Sequence, residues 1–493
     1  MTYTAITIGP IYDTISLTSS PAGLWAASYI FSHISRRLCE LIVSEKLAVT
    51  EEDILSPYFS GENQTIDGIG RYPDRIVFKP ADEQKVLERV QKLFDQIAGE
   101  IAGAVDEKSV DWFKQYLQMH AICFNSNETP ILDCSQYLDA IEQEKTYPTG
   151  VKANPLNNMF ESTDKNAQIR ERIRDKFCDR KWPFKSGQYT DGNGNERMPD
   201  MDDITGRRTE TARPRKKINS YYAIVQSDGD KFGAYIKGCK ERCESERDFS
   251  KKCLNCCSTA ANLVQEYGGV TIYAGGDDLL FLAPLTAKIM QKDGTIIDGD
   301  RNIFDLLVDL RSAFNKEFGK GNGAPTISFG VAIRYYKYPL YEAFDEAYKM
   351  LFDQAKCNRN AAAISMQKHS GKALEFVLEK FKNTSLTKHL QALIRQQTDG
   401  EVLSSIREKL WKFEPVFSQA LSLGSAALEN VFNNIFDSDL HKKYQADLDS
   451  VRELLIVLQD ENKEDKNREK LQRLDSLLRF VKFWGEEGDE GDA

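Results

Sequence analysis

Little in this sequence points to a membrane, a secretory route or a surface that coats nucleic acid. No apolar run approaches the roughly 20 residues that span a bilayer, and no secretory leader precedes the first strand-like segment, so the chain reads as cytoplasmic. Positive charge is not in excess either: 65 Lys and Arg against 75 Asp and Glu give a net charge of −10. Bulk binding of nucleic acid, which needs a basic surface to displace counterions, is thereby excluded, and any RNA contact must be local. Disulfides are excluded by compartment, which leaves the ten cysteines as thiols or metal ligands. What is present is ordinary for a soluble globular protein, 41% apolar and 28% charged, and 493 residues exceed one core, so several domains are expected.

Two acidic motifs stand out. Tyr221-Tyr222-Ala223-Ile224-Val225-Gln226 runs into Ser227-Asp228-Gly229-Asp230, and 49 positions after Asp228 comes Asp277, in Tyr273-Ala274-Gly275-Gly276-Asp277-Asp278. Glycine and aspartate clusters are common surface turns. Here, however, Val270-Thr271-Ile272-Tyr273 precedes the turn and Leu279-Leu280-Phe281-Leu282 follows it, which places it between buried strands. Mg²⁺ takes hard oxygen ligands, usually one or two carboxylates plus substrate phosphates, and a metal pair can stabilise attacking and leaving oxygens together. Carboxylates at the ends of neighbouring strands suit that chemistry. Gly275 and Gly276 would serve it twice, by allowing positive φ in a two-residue hairpin and by letting a triphosphate approach the backbone.

The surrounding pattern gives the fold class, α+β. A helix from Phe249 to Tyr267 is stopped by Gly268-Gly269. A helix from about Ile303 to Phe318, a strand Thr326 to Ile333, a helix from about Leu340 to Ala355 and a short apolar stretch Ala361 to Met366 follow the hairpin. The order is that of the split βαβ, ferredoxin-like unit, in which the first strand lies beside the hairpin and brings Asp228 next to Asp277.

Asp228-Gly229-Asp230-Lys231-Phe232-Gly233, the Tyr-Ala-Gly-Gly-Asp-Asp hairpin, Thr326-Ile327-Ser328-Phe329-Gly330 and Ala355-Lys356 resemble, in this order, the palm domain of the large subunit of type III CRISPR effector complexes, Cmr subtype. Pro21-Ala22-Gly23-Leu24-Trp25-Ala26-Ala27-Ser28-Tyr29-Ile30-Phe31-Ser32 and the stretch Gly68 to Phe78 are similar to that family's first, degenerate palm. The resemblance implies a nucleotidyltransferase of an RNA-guided antiviral complex, with ATP as substrate, Mg²⁺ or Mn²⁺ as cofactor, and other Cmr-type subunits, guide RNA and target RNA as partners. By the same resemblance Asp228, Asp277 and Asp278 are the catalytic acids. Asp228, Asp277 and the carbonyl of Gly229 would hold metal, with Asp278 a second metal-binding or base-like carboxylate. Lys356, assisted by Arg359, would meet the triphosphate, as would backbone donors around Lys231 and Phe232; Ser227 and Ser328 are candidate purine contacts, though buried serines more often bond their own backbone.

Many relatives carry a DNA-cutting HD domain, but here the chain begins almost directly with the first palm, and none of the five histidines is followed by aspartate. No such nuclease activity is expected. Some members without that domain join AMP to S-adenosylmethionine in place of making cyclic oligoadenylate, so the resemblance leaves the acceptor open.

The expected domains are a degenerate palm at 1–125, a helical and loop linker at 126–217, the catalytic palm at 218–370, a helical domain at 371–484 and an acidic, disordered tail at 485–493. At the first palm's hairpin stands Arg71-Tyr72-Pro73-Asp74, without the glycine and acid pairs, so a bracing role is expected there, with an acceptor pocket at the interface. In the linker, Asp191-Gly192-Asn193-Gly194-Asn195 reads as a polar, mobile loop, and Arg207, Arg208, Arg213, Arg215, Lys216 and Lys217 form the best local candidate for RNA or partner contact. Cys239, Cys243, Cys253 and Cys256 approximate a zinc spacing, but Cys253, Cys256 and Cys257 fall at core-facing helical positions, and no structural zinc is expected. Stripes such as Leu448, Val451, Leu455, Leu458 and Leu471, Leu474, Leu478, Val481 predict a C-terminal bundle that packs on itself and docks other subunits. Two further readings are a GGDEF-like diguanylate cyclase, whose motif departs at Leu279, and a catalytically silent scaffold of the same complex.

Overall fold

Strands with continuous apolar runs form two sheets that share a four-strand order. The computed structural model describes residues 1–61, 68–143, 156, 164–191, 193–207, 216–290, 296–321, 323–368, 373–378, 386–436, 442–460 and 466–487. In the first sheet, β1 (Thr2–Gly9), β2 (Ile54–Ser56), β3 (Arg75–Phe78) and β4 (Gln118–Asn125) lie in the order β2-β3-β1-β4, all antiparallel. Helices α1 (Pro21–Ser44) and α2 (Val86–Val105) pack on it. Ser20 caps α1 by accepting from the Gly23 amide, and Pro21 sits in the first turn, where its missing N–H costs nothing.

The second sheet contains β5 (Tyr221–Asp230), β6 (Val270–Gly275) and β7 (Asp278–Pro284). After a two-stranded ribbon of β8 (Thr286–Met290) and β9 (Ile296–Asn302), it continues with β10 (Thr326–Tyr335), β11 (Ala362–Met366) and β12 (Leu374–Leu378). Its order is β12-β11-β10-β5-β7-β6. The four strands β6-β7-β5-β10 repeat the order of the first sheet, so both are ferredoxin-like and the expected α+β class of two palm-like units holds. The β8–β9 ribbon was not anticipated.

Helix α3 (Glu246–Tyr267) starts three residues before the sequence-based boundary because Ser245 and Asp248 form a reciprocal capping box, and it ends at Gly268 in the left-handed region. Helix α4 (Ile303–Phe318) is capped the same way by Asn302 and Asp305. The helix predicted from Leu340 to Ala355 divides: α5 (Leu340–Lys349) is α-helical and Met350–Ala355 is a π-helical turn.

Period-two alternation sends the two faces of β5 to different cores. Tyr221, Ala223 and Val225 join α3, α4 and the C-terminal helices, whereas Tyr222 and Ile224 join the first palm and α5. The catalytic-palm candidate is therefore a buried partition, and its strand ends are where both layers open. The C-terminal helices α6 (Leu386–Gln396), α7 (Gly400–Lys412), α8 (Glu414–Leu423), α9 (Ser425–Ile435), α10 (Gln445–Asp460) and α11 (Asn467–Gly485) consume both leucine stripes internally. On α11, Phe480 and Phe483 reach Phe304, Phe376 and Tyr221. No helix among the described residues is long and apolar enough to cross a membrane.

Several expectations change. Arg207 is not a free basic contact: it is 7% exposed, donates to Ser220, pairs with Asp202 and stacks on Tyr336. Lys217 pairs with Glu486, which also holds Lys368, so the described start of the acidic tail is tied to the palm. Arg208, Arg213, Arg215 and residues 488–493 lie outside the described residues. The Asp191 loop is a closed turn in which the Asp191 carboxylate accepts from the Asn193 and Asn195 amides, the local bonding that favours aspartate in turns.

Candidate active site

The β6–β7 turn is a two-residue hairpin closed by Gly275 opposite Asp278, with Gly276 and Asp277 at its tip. Gly276 has φ 66°, the positive value required at the first central position of a II′ turn. Gly275 is not in the left-handed region, so the expectation for it is corrected. A Cβ there would lie 2.5 Å from the Arg71 carbonyl oxygen and 2.6 Å from the Tyr273 hydroxyl. What approaches this backbone is the first palm itself: the Ala274 amide donates to the Gly70 carbonyl at 2.8 Å, and Gly70 bridges Tyr273. Behind the turn, the Cys257 thiol donates to the Gly276 carbonyl at 3.4 Å.

Register brings the acids together. Ser227 pairs with Leu279 across β5 and β7, and oxygen atoms of Asp228, Asp277 and Asp278 all lie within 4.8 Å of one another. Among the described residues this is the one group of acids, histidines or cysteines close enough to share a cation. Its donors are hard oxygens, which fits Mg²⁺ or Mn²⁺. Burial, then the charge and hydrogen bond of Asp228, pushes Asp277 up to about 7. Desolvation and the charges of Asp277, Asp228 and Asp74 push Asp278 well above the carboxylate range. Since its side chain is exposed, the like charges are the cause we stand behind.

Lys356 reaches this cluster from the end of the π turn. Its Nζ lies 2.7 Å from Asp228 Oδ2 and 3.3 Å from Asp230 Oδ1, and donates to the Gly229 carbonyl at 2.6 Å. Asp230, which sequence reasoning left without a role, is the anchor. It accepts from Thr326 (2.7 Å), Ser328 (2.9 Å) and the Asn360 amide (2.8 Å). Its Asp-x-Asp spacing, which puts both acids on one side of β5, was the available signal.

Ser328 is corrected as a nucleotide contact, because it is fully buried and its hydroxyl is spent on Asp230. Ser227 differs: it is 2% exposed and its hydroxyl has no partner among the described residues. Gly229 is needed because the Phe232 ring would stand 2.0 Å from a Cβ, and Phe232 is itself wedged against Phe249 and Phe318. Lys231 is exposed with φ 66° at the start of the short helix Phe232–Lys237. Arg359 is exposed with φ 54° and makes no side-chain bond to the acids among the described contacts. Cys239, Cys253 and Cys257 are buried in the palm core.

Two clefts flank the hairpin, sharing Tyr72, Asp74 and Asp278 as lining. The first, about 480 Å³, lies between the first palm's Arg71 and Arg75 and the Phe249–Leu254 turn of α3. The second, about 450 Å³, lies between α1, Tyr12 and the α5 region. Sequence reasoning missed the residues of this second cleft, although Phe344, Tyr348 and Phe352 recur every four positions.

A ferredoxin-like sheet with acids at the end of its central strand and on the adjacent hairpin defines the palm and nucleotide-cyclase class. Within that class, residues 221–364 match the family model described as Cas10/Cmr2, second palm domain. The CRISPR system Cmr subunit Cmr2 of Pyrococcus furiosus is 28% identical over 179 residues, 31% of this chain and 19% of that protein. Residues 221–364 are thus similar to a Cas10/Cmr2 palm, and the aligned region spans about a fifth of that relative's length. Among solved structures, a type III-B Cmr-beta chain in the apo state aligns over 87% of this chain and 77% of its own, with a TM-score of 0.53 and 11% identity. Csm1 from T. onnurineus aligns over 99% and 70%, with a TM-score of 0.50 and 14% identity. A chain of a Csm1–Csm4 cassette in complex with cA4 aligns over 98% and 69%, with a TM-score of 0.53 and 13% identity. These structural likenesses are of fold.

Proposed function

We propose that this chain transfers the adenylyl group of ATP to a nucleoside hydroxyl, as the target-RNA-activated, messenger-making subunit of a cytoplasmic RNA-guided type III complex. The observation that carries the proposal is the trio Asp228, Asp277 and Asp278, with oxygens within 4.8 Å of one another, at a hairpin between two clefts. In this reading Asp228, Asp277 and the Gly229 carbonyl hold Mg²⁺ or Mn²⁺, which when bound would neutralise charge on the phosphates. ATP lies in the first cleft, with its triphosphate toward Lys356, Lys231 and Arg359. A hydroxyl oxygen of the acceptor bonds to the α-phosphorus, the bond to the β-phosphate bridging oxygen breaks, pyrophosphate leaves, and the hydroxyl proton passes to the Asp278 carboxylate. Support comes from solved Csm1–Csm4 cassettes of similar fold in complex with AMPPNP and with cA4.

Residues 1–125 brace the hairpin, through the Gly70 to Ala274 bond, and form one wall of each cleft. The product is a cyclic oligoadenylate or AMP joined to S-adenosylmethionine. The test is to assemble the chain with partner subunits and guide RNA, add Mg²⁺, ATP and target RNA with and without S-adenosylmethionine, and resolve products by mass spectrometry. Either adenylate product is expected, and it should vanish in an Asp277→Ala, Asp278→Ala double variant that still assembles and binds RNA. No product from the intact complex under any of these conditions would leave only a scaffold.

A further inference from the structure

Helix α3 carries a cation where its own electrostatics disfavour one. Arg247 stands in the first turn between Glu246 and Asp248, and the helix dipole there suits the two acids and opposes the positive charge. Lys251, one turn further on, adds an i,i+4 pair of like sign. What offsets this lies in the first palm. The Arg247 guanidinium donates from Nη1 to the Ile54 carbonyl at 2.6 Å and from Nη2 to the Phe59 carbonyl at 2.7 Å. Its Cζ lies 4.6 Å from the centre of the Tyr58 ring, and Lys251 Nζ lies 5.3 Å from the same ring, so one aromatic face of the first palm meets both cations of α3. Both accepting residues are firmly held: Ile54 opens the edge strand β2, and Ile54 and Phe59 are 0% and 4% exposed in the first palm's core.

A second tie runs the other way. Arg71 of the first palm donates to the Ser258 hydroxyl, about three turns further along α3. Between the two ties fall Phe249, Ser250, Cys253 and Leu254, the α3 residues that line the first cleft, and Tyr58 lines it from the first palm. The Arg71 end adjoins the hairpin, where the Ala274 to Gly70 bond also joins the two palms. Arg247 secures the far end, and it is not itself part of the cleft's described lining.

We infer that Arg247 is a positioning residue: by clasping the Ile54–Phe59 segment against the first turns of α3, it sets the width of the first cleft and through it the affinity for the nucleotide held there. The second half of this rests on the reading of the first cleft as the ATP site. The clasp needs a fork. A guanidinium presents several N–H groups in a fixed plane and reaches two carbonyls at once, whereas an ammonium is a point charge on a flexible stem. Retaining the charge alone does not retain the clasp.

The test compares Arg247→Lys and Arg247→Met with the parent, in the full chain, by hydroxyl-radical footprinting and by equilibrium binding of AMPPNP with Mn²⁺. Phe249 and Cys253, 7% and 5% exposed on the α3 wall, should be labelled faster in both variants, with the Ala274 amide as protected from hydrogen exchange as in the parent. AMPPNP should bind on the order of ten-fold more weakly to both, the loss of about one hydrogen bond to a charged group. A tie that is merely structural would lower the melting temperature and leave AMPPNP affinity unchanged, and that result would overturn the inference. So would unchanged labelling of the α3 wall, or full rescue of AMPPNP binding by lysine. Faster labelling in both variants of a chain whose parent form binds no AMPPNP would uphold the clasp and remove the ATP reading of the first cleft alone.

Discussion

The ammonium group of Lys356 sits 2.7 Å from Asp228 Oδ2 and donates to the Gly229 carbonyl, so a protein cation contacts two of the oxygens assigned to a metal. Metal and lysine then compete for the same donors, and Lys356 is freed toward the triphosphate when it is displaced. Lys356→Ala should lower metal-free stability by about 1–3 kcal/mol, the usual loss for hydrogen bonds to charged groups. It should also raise Mn²⁺ affinity, measured by titration calorimetry, and weaken ATP binding. Equal Mn²⁺ affinity in the variant and the parent would show that the lysine does not compete.

Asp277 sets a pH dependence. Its pKa is raised from the usual carboxylate value to about 7 by burial and by Asp228, so without metal the folded state keeps a proton that the unfolded chain has released. That contribution to stability is present below about pH 4 and is lost as pH rises through about 7. Metal-free melting temperature should therefore fall across this window, and Asp277→Asn should flatten the fall and melt higher at pH 8. Metal binding should release a proton at pH 6 and strengthen up to about pH 7, which calorimetry in buffers of different ionisation enthalpy reads directly.

Asp230 predicts the opposite behaviour to its neighbour. It satisfies Thr326, Ser328, the Asn360 amide and Lys356, so Asp230→Ala leaves buried donors unpaired and leaves Lys356 with Asp228 as its one carboxylate partner. A loss of about 3–5 kcal/mol is expected, as for one half of a buried ion pair, with activity falling alongside stability. Asp278→Ala, at an exposed position, should abolish activity with no loss of metal-free stability. Chemical denaturation of the two variants separates an anchor from a reacting group.

The parts legible in sequence were those set by local pattern. Apolar runs located β5 and β10, Gly268 stopped α3 where expected, and the order of elements implied that β5 would lie beside the hairpin. What was not legible depends on distant register or on one side chain's partner. Nothing local says that Ser328, opposite Asp228 across β5 and β10, will bond Asp230 while Ser227, opposite Leu279, keeps a hydroxyl with no partner among the described residues. Tyr12 and Asp345 are 333 positions apart, so the second cleft exists only once the two palms are docked. Arg207 read as linker charge because its burial comes from Asp202, Ser220 and Tyr336, which tertiary packing alone supplies.

The two hairpin glycines should fail differently. At Gly276 the obstacle is backbone conformation: with φ 66° and its nearest obstacle to a Cβ at 3.9 Å, alanine should cost about 1–2 kcal/mol of left-handed strain and leave the first palm in place. At Gly275 the obstacle is the other domain, since the same atom would lie 2.5 Å from the Arg71 carbonyl oxygen. Backbone cannot yield there without breaking the Ala274 to Gly70 bond that fixes both clefts against the hairpin. Gly275→Ala should thus expose the amide of Ala274 to hydrogen exchange and weaken both ATP and acceptor binding, whereas Gly276→Ala should leave that amide protected. If the Ala274 amide were equally protected in both variants, the first palm would not be what holds the hairpin, and its bracing role would have to be given up.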